Sequence, residues 1–198
     1  QWKVRRSLAC SLHEISRIVG REVSERVLCP AFELFLRDLD EVKIGVISNV
    51  AIFLQNLSLT RREQYAPMIC SLPEQTDNWR IRARVSEQLG QVAMLVSVKC
   101  VKEVIGKVAQ QFFDDQYACV RKRAILSAGL ILKRLLPPIS DNTTSDSNEL
   151  PYYRTDDEVE RKEACDEYLS FLHGMARGTH HRRLAFIFAC HSLYTENP

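Results

Sequence analysis

Residues 2–5 read WKVR, and the same pattern returns as DEVK at 40–43, WRIR at 79–82 and ACVR at 118–121. Each stretch ends in a β-branched apolar residue followed by a base. The branched residues are 38, 39 and 39 positions apart, and they are Val4, Val42, Ile81 and Val120. A constant period in this range is typical of stacked helical hairpins. Such stacks usually present surfaces that hold other proteins, and seldom a catalytic pocket.

The apolar spacing is helical almost everywhere along the chain. Apolar residues follow each other at steps of three and four, which places them on one face of a helix. Four such stripes begin at the repeated stretches, and three more lie near 25–39, 61–72 and 101–113. The strand-like alternation of apolar and polar residues is absent. The sequence therefore predicts an all-α fold, an α-solenoid of antiparallel helical hairpins.

The repeats are expected to form one domain over 1–198, with about four and a half hairpins beginning on a second helix. Helical spacing stops at Pro137 and resumes near Asp157. Between them, near 138–156, the chain is acidic and rich in Ser, Thr, Asn and Asp, so we expect a disordered loop there. Because the chain starts and stops abruptly, we also expect it to be a fragment of something longer.

The turns before the second helices carry acids that can cap them. Asp40 and Asp77 stand at expected N-cap positions, with Asn78 able to share the role. Thr60 and Glu63 fit a capping box. The base in each repeated stretch lies near the positive end of the helix macrodipole, where it needs a compensating acid. The pattern predicts a ladder of Asp–Arg and Asp–Lys pairs between the turns of the same or adjacent repeats.

The first helix of three repeats contains a residue that weakens helices. Pro30, Pro67 and Gly106 precede Val42, Ile81 and Val120 by twelve to fourteen positions. Proline removes a helical hydrogen bond and glycine destabilises the same place less severely. We therefore expect kinked first helices that let the stack curve.

Composition is that of an ordinary soluble protein, with 45% hydrophobic residues, 26% charged residues and a formal net charge of +2. No apolar run approaches the ~20 residues of a membrane span, so we expect no membrane partner. The seven cysteines are widely spaced, and most have apolar neighbours. They are therefore expected to be reduced thiols. A cytoplasmic or nuclear location, or both, follows from that expectation.

No motif in the chain predicts catalysis. His13-Glu14 begins like a zinc protease box, but Arg17 occupies the place of the second histidine. Phosphate-cradling loops, dinucleotide fingerprints and the hydrolase elbow are all missing. We therefore expect no catalytic residue, no cofactor and no metal site, and the protein is not expected to be an enzyme.

Two other binding functions remain open at this point. Basic clusters such as 121–123 could align into a stripe that binds nucleic-acid phosphates, which a steep salt dependence of DNA binding would reveal. Acids are nearly as numerous as bases and no aromatic residues interleave them, so nucleic acid is the less favoured partner. A cargo-carrying solenoid would need aligned Trp and Asn arrays, which only Asn49, Trp2 and Trp79 approach.

The repeated residues resemble HEAT repeats, in which an Asp in the turn and Val-Arg or Val-Lys early in the second helix are characteristic. Longer strings resemble the regulatory subunit 1 family of protein phosphatase 4. They are WKVRRSLA at 2–9, FLRDLDEVKIGV at 35–46, NWRIRA at 78–83 and, less closely, RLAFIFAC at 183–190. The resemblance covers most of 1–136, and it implies a HEAT- or armadillo-like superhelix.

That family implies a non-catalytic scaffold that binds a phosphatase catalytic subunit and directs it to phosphoprotein substrates. By extension from related scaffolds, the turns within the repeats at 38–41, 77–80 and 114–117 are the expected docking edge. The segment could instead lie outside the catalytic contact and serve substrates. The candidate partner-binding residues are Asp38, Asp40, Glu41, Asp77, Trp79, Arg80, Asp115 and Tyr117.

Overall fold

The computed structural model describes residues 1–137 and 158–196. Every regular element within those residues is helical, which confirms the predicted all-α class for that part of the chain. The expected acidic loop near 138–156 lies outside the described residues. The assignment of 1–198 to one domain of about four and a half repeats stays a prediction.

Eleven α-helices form within the described residues, and some continue directly into π-helical or 3-10 turns. The helices are α1 Trp2–Val23, α2 Cys29–Leu36, α3 Asp40–Ile47, α4 Val50–Gln55, α5 Leu59–Ser71, α6 Trp79–Ala93, α7 Val98–Cys100, α8 Gly106–Phe112, α9 Ala118–Leu135, α10 Glu158–Ala176 and α11 His180–Glu196. The π-helical turns are Ser24–Leu28 and Val101–Ile105, and the 3-10 turn is Leu72–Gln75. No described helix is both long enough and apolar enough to cross a membrane.

The helices pack in two rows. The second row consists of α1, α3 with α4, α6, α9 and α11, and each of these packs on the next. The first row consists of α2, α5, α7 with α8, and α10, where Phe32 of α2 lies against Tyr65 of α5 and α10 packs on α7. Adjacent members of the two rows also pack together, as α2 does on α3 and α8 on α9. Successive members of the second row are therefore in contact along the described part of the chain.

One continuous cluster of buried apolar residues runs through the stack. Val42, Ile81 and Val120 of the repeated stretches are 0% exposed, whereas Val4 is 55% exposed. The difference arises because α1 has a second-row neighbour on one side only within the described residues. No single hairpin could bury its apolar stripe alone, so each joint between neighbours contributes to stability.

Two of the expected kinks coincide with π-helical turns. The turn Ser24–Leu28 ends just before Cys29 and Pro30, and Val101–Ile105 ends at Gly106. A π-helical turn absorbs the clash and the missing N–H that proline imposes on a helix. Gly106 has a different role, because a Cβ atom there would lie 3.1 Å from the carbonyl oxygen of Val101. Pro67 lies inside α5, which continues past it.

The second helix of the second hairpin is broken, although its sequence predicts one continuous stripe. Helix α3 ends at Ile47 and α4 begins at Val50. Ser48 contributes to the break, since its hydroxyl donates to the carbonyl oxygen of Ile44 at 2.7 Å. The amide of Ala51 donates instead to the buried side chain of Gln88 in α6, at 3.2 Å. A neighbouring helix thus satisfies a backbone group that the break releases.

Several expected caps are wrong. Asp40 lies within the first turn of α3, whose N-cap position is Leu39. Asn78 rather than Asp77 caps α6, accepting a hydrogen bond from the amide of Arg80 at 3.0 Å. Ser58 holds the N-cap position of α5, so Thr60 and Glu63 form no capping box there. Asp40 and Glu63 bond to the next hairpin instead, where Asp40 accepts from Asn78 Nδ2 and Glu63 accepts from the amide of Ser97.

Candidate interaction surface

The three predicted docking turns lie along one edge of the stack. The turns at 38–41, 77–80 and 114–117 precede α3, α6 and α9, the second-row helices of successive hairpins. We call these three turns the turn row. A corresponding turn follows α10 and leads into α11. Because adjacent second-row helices begin at this edge, their turns are close enough to bond to each other.

Arginines of the second row form ion pairs with acids of neighbouring turns. Arg5 Nε donates to Asp38 Oδ2 at 2.5 Å and Arg5 Nη2 to Asp38 Oδ1 at 2.9 Å. Arg82 Nε donates to Asp115 Oδ2 at 2.7 Å. The predicted ladder of acid–base pairs is therefore confirmed at these two joints, each spanning 33 residues.

At the joint between α9 and α11 the order of the pair is reversed, because the arginine follows the acid in the sequence. Arg182 of α11 donates from Nε to Asp114 Oδ1 at 2.8 Å, and a second contact joins its Nη2 to Oδ2. Asp115 binds Arg82 on the other side, and its second oxygen accepts from the amide of Tyr117 at 2.8 Å. The adjacent carboxylates Asp114 and Asp115 thus link three successive hairpins, which is a structural role.

At the turn before α3 the acid–base pair lies within one repeat. Lys43 pairs with Asp40 of its own hairpin at 3.7 Å, which is an Asp–Lys pair of the predicted kind. Asp40 also accepts a hydrogen bond from Nδ2 of Asn78 at 2.9 Å, so an amide replaces the arginine found at the other joints. Lysine has a single ammonium instead of a planar fork of donors, and it is less suited to a bidentate pair. Asp77 is exposed, and its carbonyl oxygen accepts from Arg82 at 3.2 Å.

Aromatic and arginine side chains stack between the turns at 77–80 and 114–117. The rings of Trp79 and Tyr117 lie 5.7 Å apart, with 22° between their planes. The guanidinium of Arg80 lies 4.7 Å from the Trp79 ring centre, and that of Arg82 lies 5.6 Å from the Tyr117 ring centre. These four side chains form a column, held by stacking and cation–π attraction.

The ion pairs of the turn row shift the pKa values of their members. The hydrogen bond from Arg5, and next the one from the amide of Leu39, lower the pKa of Asp38 to about 2. The same pair raises the pKa of Arg5. Asp114 likewise raises the pKa of Arg182. Asp38 therefore stays ionised at neutral pH and fixes the first joint.

The eight candidate residues differ in their contacts and in their exposure. Asp38, Asp40 and Asp115 are occupied by bonds between hairpins, and Trp79, Arg80 and Tyr117 stack in the aromatic column. Glu41, Asp77, Arg80 and Tyr117 are exposed. The turn row brings Trp79, Arg80, Asp115 and Tyr117 together, and Asn78 connects them to the turn at 38–41. A partner could reach the exposed residues without disturbing the joints.

A second set of links lies at the other ends of the helices, and sequence reasoning missed it. Glu25 accepts from the amide of Ser58 at 2.6 Å, and Glu63 accepts from the amide of Ser97 at 3.2 Å. The hydrogen bond from Ser58 is the largest contribution lowering the pKa of Glu25. Glu25 and Glu63 are 38 residues apart, and Ser58 and Ser97 are 39 apart. This is the period of the repeated stretches, so the spacing could have revealed the links.

The turn row combines tryptophan, tyrosine and arginine side chains. Exposed tryptophan, tyrosine and arginine are enriched at the energetic centres of protein interfaces. Within residues 1–137 and 158–196, no group of three or more His, Cys, Asp or Glu side chains could hold a metal ion. Some of the basic side chains pair with carboxylates, as Arg82 does with Asp115 and Arg84 with Glu87.

Part of the chain is similar to known proteins. The family model for the protein phosphatase 4 regulatory subunit 1 middle domain matches residues 1–72, which contain α1 to α5. The human serine/threonine-protein phosphatase 4 regulatory subunit 1 is 37% identical over 123 residues. The chain resembles protein phosphatase 4 regulatory subunit 1.

The mouse and rat subunits match to the same extent, at 37% identity over 123 residues. In each case the match covers 61% of this chain and 13% of the relative. The chain therefore spans a small part of the length of these regulatory subunits.

Proposed function

We propose that this chain is a non-catalytic segment of a serine/threonine phosphatase regulatory subunit of the phosphatase 4 type. It acts as a scaffold that binds the catalytic subunit and directs it to phosphoprotein substrates. The similarity to the human regulatory subunit, 37% over 123 residues, is the observation that carries this proposal. The phosphatase chemistry then belongs to the partner, and the chain supplies position and selectivity.

The arrangement we propose is a HEAT-type superhelix. Its support is the 38- to 39-residue period, the two rows of helices, and the links that join each hairpin to the next. Stacked repeats create extended surfaces whose shape depends on the joints. The ion pairs of the turn row hold that shape and leave other side chains available.

The exposed residues of the turn row are the docking edge in this proposal. Glu41, Asp77 and Arg80 are exposed and lie on two adjacent turns. The guanidinium of Arg80 is held over the Trp79 ring at 4.7 Å, so less side-chain entropy is lost when it binds a partner. A partner with complementary charges would contact acids and a base in fixed positions.

We also propose a cytoplasmic or nuclear location, or both. The free thiols of the chain support it, since all seven cysteines are unpaired and three are buried. Burial raises the pKa of Cys70 and of Cys100 to about 12. Both thiols are therefore protonated and unreactive at neutral pH.

A charge-reversal variant tests the docking edge. We expect Glu41→Lys, Asp77→Lys and Arg80→Glu together to weaken binding of the purified phosphatase 4 catalytic subunit at least tenfold, as measured by biolayer interferometry. The expected loss follows from reversing three exposed charges, none of which supports an ion pair between hairpins. Trp79→Ala is a less suitable variant because it also removes the stack with Tyr117.

Glu103→Lys is the matched control. Glu103 is exposed and lies in the first row, in the π-helical turn Val101–Ile105, away from the turn row. Circular dichroism should be unchanged in both variants. Unchanged affinity in the triple variant would contradict docking at the turn row, whereas no binding by the unaltered chain would contradict a phosphatase contact in this segment.

A further inference from the structure

A groove opens between α9 and α11, on the second-row side of the stack, and has a volume of about 600 Å³. This is within the usual range of ligand-binding clefts, roughly 300–1,000 Å³. Its floor contains Ile125 and Leu126 from α9, and Leu184 and Phe188 from α11. Three of these are exposed although strongly apolar, with Leu126 at 59%, Leu184 at 40% and Phe188 at 55%. We call it the α9–α11 groove.

The rim of the α9–α11 groove is basic. Arg121 and Lys122 line it from α9, and His181 and His191 line it from α11. None of the described residues that line it is acidic. The nearest acids of the turn row are already paired, Asp114 with Arg182 and Asp115 with Arg82. The groove therefore favours an anionic occupant.

Backbone dipoles add to this charge at one end. Arg182 in the first turn of α11 bonds to Asp114 in the turn that precedes α9, so the two helices begin on the same side. Their positive macrodipole ends lie next to the end of the groove where Lys122 and His181 stand. Arg121 also donates to the carbonyl oxygens of Asp115 and Gln116, which holds its side chain at this end.

We propose that the α9–α11 groove binds a short segment of a partner protein that carries apolar side chains beside acidic or phosphorylated residues. Apolar side chains of this segment would cover Leu126, Leu184 and Phe188, and its acidic groups would face Lys122 and Arg121. Charge complementarity selects this occupant over a neutral or basic one. The inference stands on the groove itself and does not require the chain to bind a phosphatase.

The length of the groove limits the segment. From Ala118 to Leu126 it follows α9 for about 12 Å, at 1.5 Å per residue. This distance accommodates about four residues of extended chain or about two turns of helix. In either form, two or three large apolar side chains reach the floor. A concave site of this size fits a peptide better than a membrane surface, which would need a protruding apolar patch.

A neighbouring groove between α6 and α9 explains why this site is the stronger candidate. That groove measures about 490 Å³ and shares Lys122 and Leu126 with the first. There Arg123 Nε donates to Glu87 Oε2 at 3.3 Å, so an ion pair bridges the opening. The α9–α11 groove has no acidic lining residue among those described, and its apolar floor stays accessible.

The test uses the 198-residue chain and a fluorescein-labelled peptide with two leucines, separated by two or three residues and flanked by glutamates. Fluorescence anisotropy should show saturable binding. Leu126→Asp and Phe188→Asp should each weaken it at least tenfold, since each places a charge on the apolar floor. Leu34→Asp is the matched control, because Leu34 is 67% exposed but lies on α2, and it should leave binding unchanged.

A charge exchange tests the rim separately. Lys122→Glu should weaken binding of the glutamate peptide and strengthen binding of the same peptide with lysines in place of the glutamates. Equal losses in Leu34→Asp, or equal binding of both peptides by the unaltered chain, would overturn the proposal. So would binding of phosphatidylserine vesicles, or self-association, that Leu126→Asp abolishes while the peptide does not bind. Capture of a phosphatase catalytic subunit is measured apart, so each proposal can fail without the other.

Discussion

Helix α9 has two second-row neighbours, and the two joints differ in how closely they are packed. Toward α6, Gly90 lies so close to α9 that a Cβ atom there would be 3.0 Å from the carbonyl oxygen of Ser127. Toward α11, large apolar side chains such as Leu126 and Phe188 border an open groove. One helix therefore has a side of close backbone approach, where the Arg123–Glu87 pair bridges the smaller groove, and a side where an apolar groove stays open.

Small and polar residues close the α6–α9 joint. The hydroxyl of Ser127 donates to the carbonyl oxygen of Ser86 at 2.6 Å, and the hydroxyl of Ser86 donates to that of Val120 at 3.3 Å. The Arg82–Asp115 pair at its end is well covered, with side chains 13% and 7% exposed. The Arg182–Asp114 pair of the other joint is 40% and 49% exposed. Close backbone approach and hydrogen bonds hold the α6–α9 joint. At the α9–α11 joint, apolar side chains remain accessible to a partner.

The largest expected effect comes from filling the closed joint. Gly90→Val should destabilise the chain by about 1–3 kcal/mol, because its Cβ atom and methyl groups would meet Leu130 and the backbone of Ser127. Urea unfolding followed by circular dichroism measures the change. The α9–α11 groove should keep its peptide affinity if α9 itself stays in place.

Gly174→Val is the control for that variant. Gly174 also lies inside a helix, α10, but no atom outside its own helix and chain neighbours lies within 4 Å of a Cβ built there. Its substitution should change stability by less than about 0.5 kcal/mol, since valine is a somewhat better helix former than glycine. Similar losses in both variants would show that a β-branched side chain inside a helix, and not the close approach of α6 and α9, determines the effect.

The sequence predicted most of what the turn row contains. The steps between Val4, Val42, Ile81 and Val120 placed the second helices, and the base next to each required an acid in a turn. Arg5 with Asp38 and Arg82 with Asp115 confirm that reasoning. Regular spacing succeeds at these two joints because both repeat the same contact between an arginine and an aspartate 33 residues later.

Local rules failed where a bond to another hairpin was available. Asp40 looked like a cap for its own helix, but it bonds to Asn78 of the next hairpin. Glu63 looked like part of a capping box, but it accepts from the amide of Ser97. Capping rules describe one helix at a time, whereas in a stack the amides of the next helix compete for the same carboxylates.

The α9–α11 groove could not be predicted from spacing. Leu126 and Phe188 are 62 residues apart, and the period of the earlier repeats does not extend to the last one. Each lies on an ordinary amphipathic helix, so neither looks unusual alone. Only the three-dimensional structure shows that their apolar side chains line one groove and remain exposed.

A smaller effect is expected for the coupling energies of the two ion pairs, Arg82–Asp115 at the α6–α9 joint and Arg182–Asp114 at the α9–α11 joint. A double-mutant cycle with Arg82→Met and Asp115→Asn should give a coupling of roughly 1–2 kcal/mol, because that pair is shielded from water. The cycle with Arg182→Met and Asp114→Asn should give less than about 1 kcal/mol, as exposed pairs do. Urea unfolding of the four proteins in each cycle measures both values. Equal couplings would contradict the difference in shielding.

The smallest effect is the acid response of the first joint, where Asp38 has a pKa of about 2. Arg5 lowers the pKa by binding the ionised carboxylate, so this contribution to stability is complete above the unfolded-state pKa of about 3.9. It is lost as pH falls through about 2, when the folded protein also binds the proton. The urea midpoint of the unaltered chain should therefore fall faster than that of Asp38→Asn between about pH 4 and pH 2.

Arg5→Gln should raise the pKa of Asp38, which a carboxyl titration by NMR measures directly. An unchanged pKa in Arg5→Gln would mean that the amide of Leu39, and not the ion pair, holds this carboxylate in its charged form.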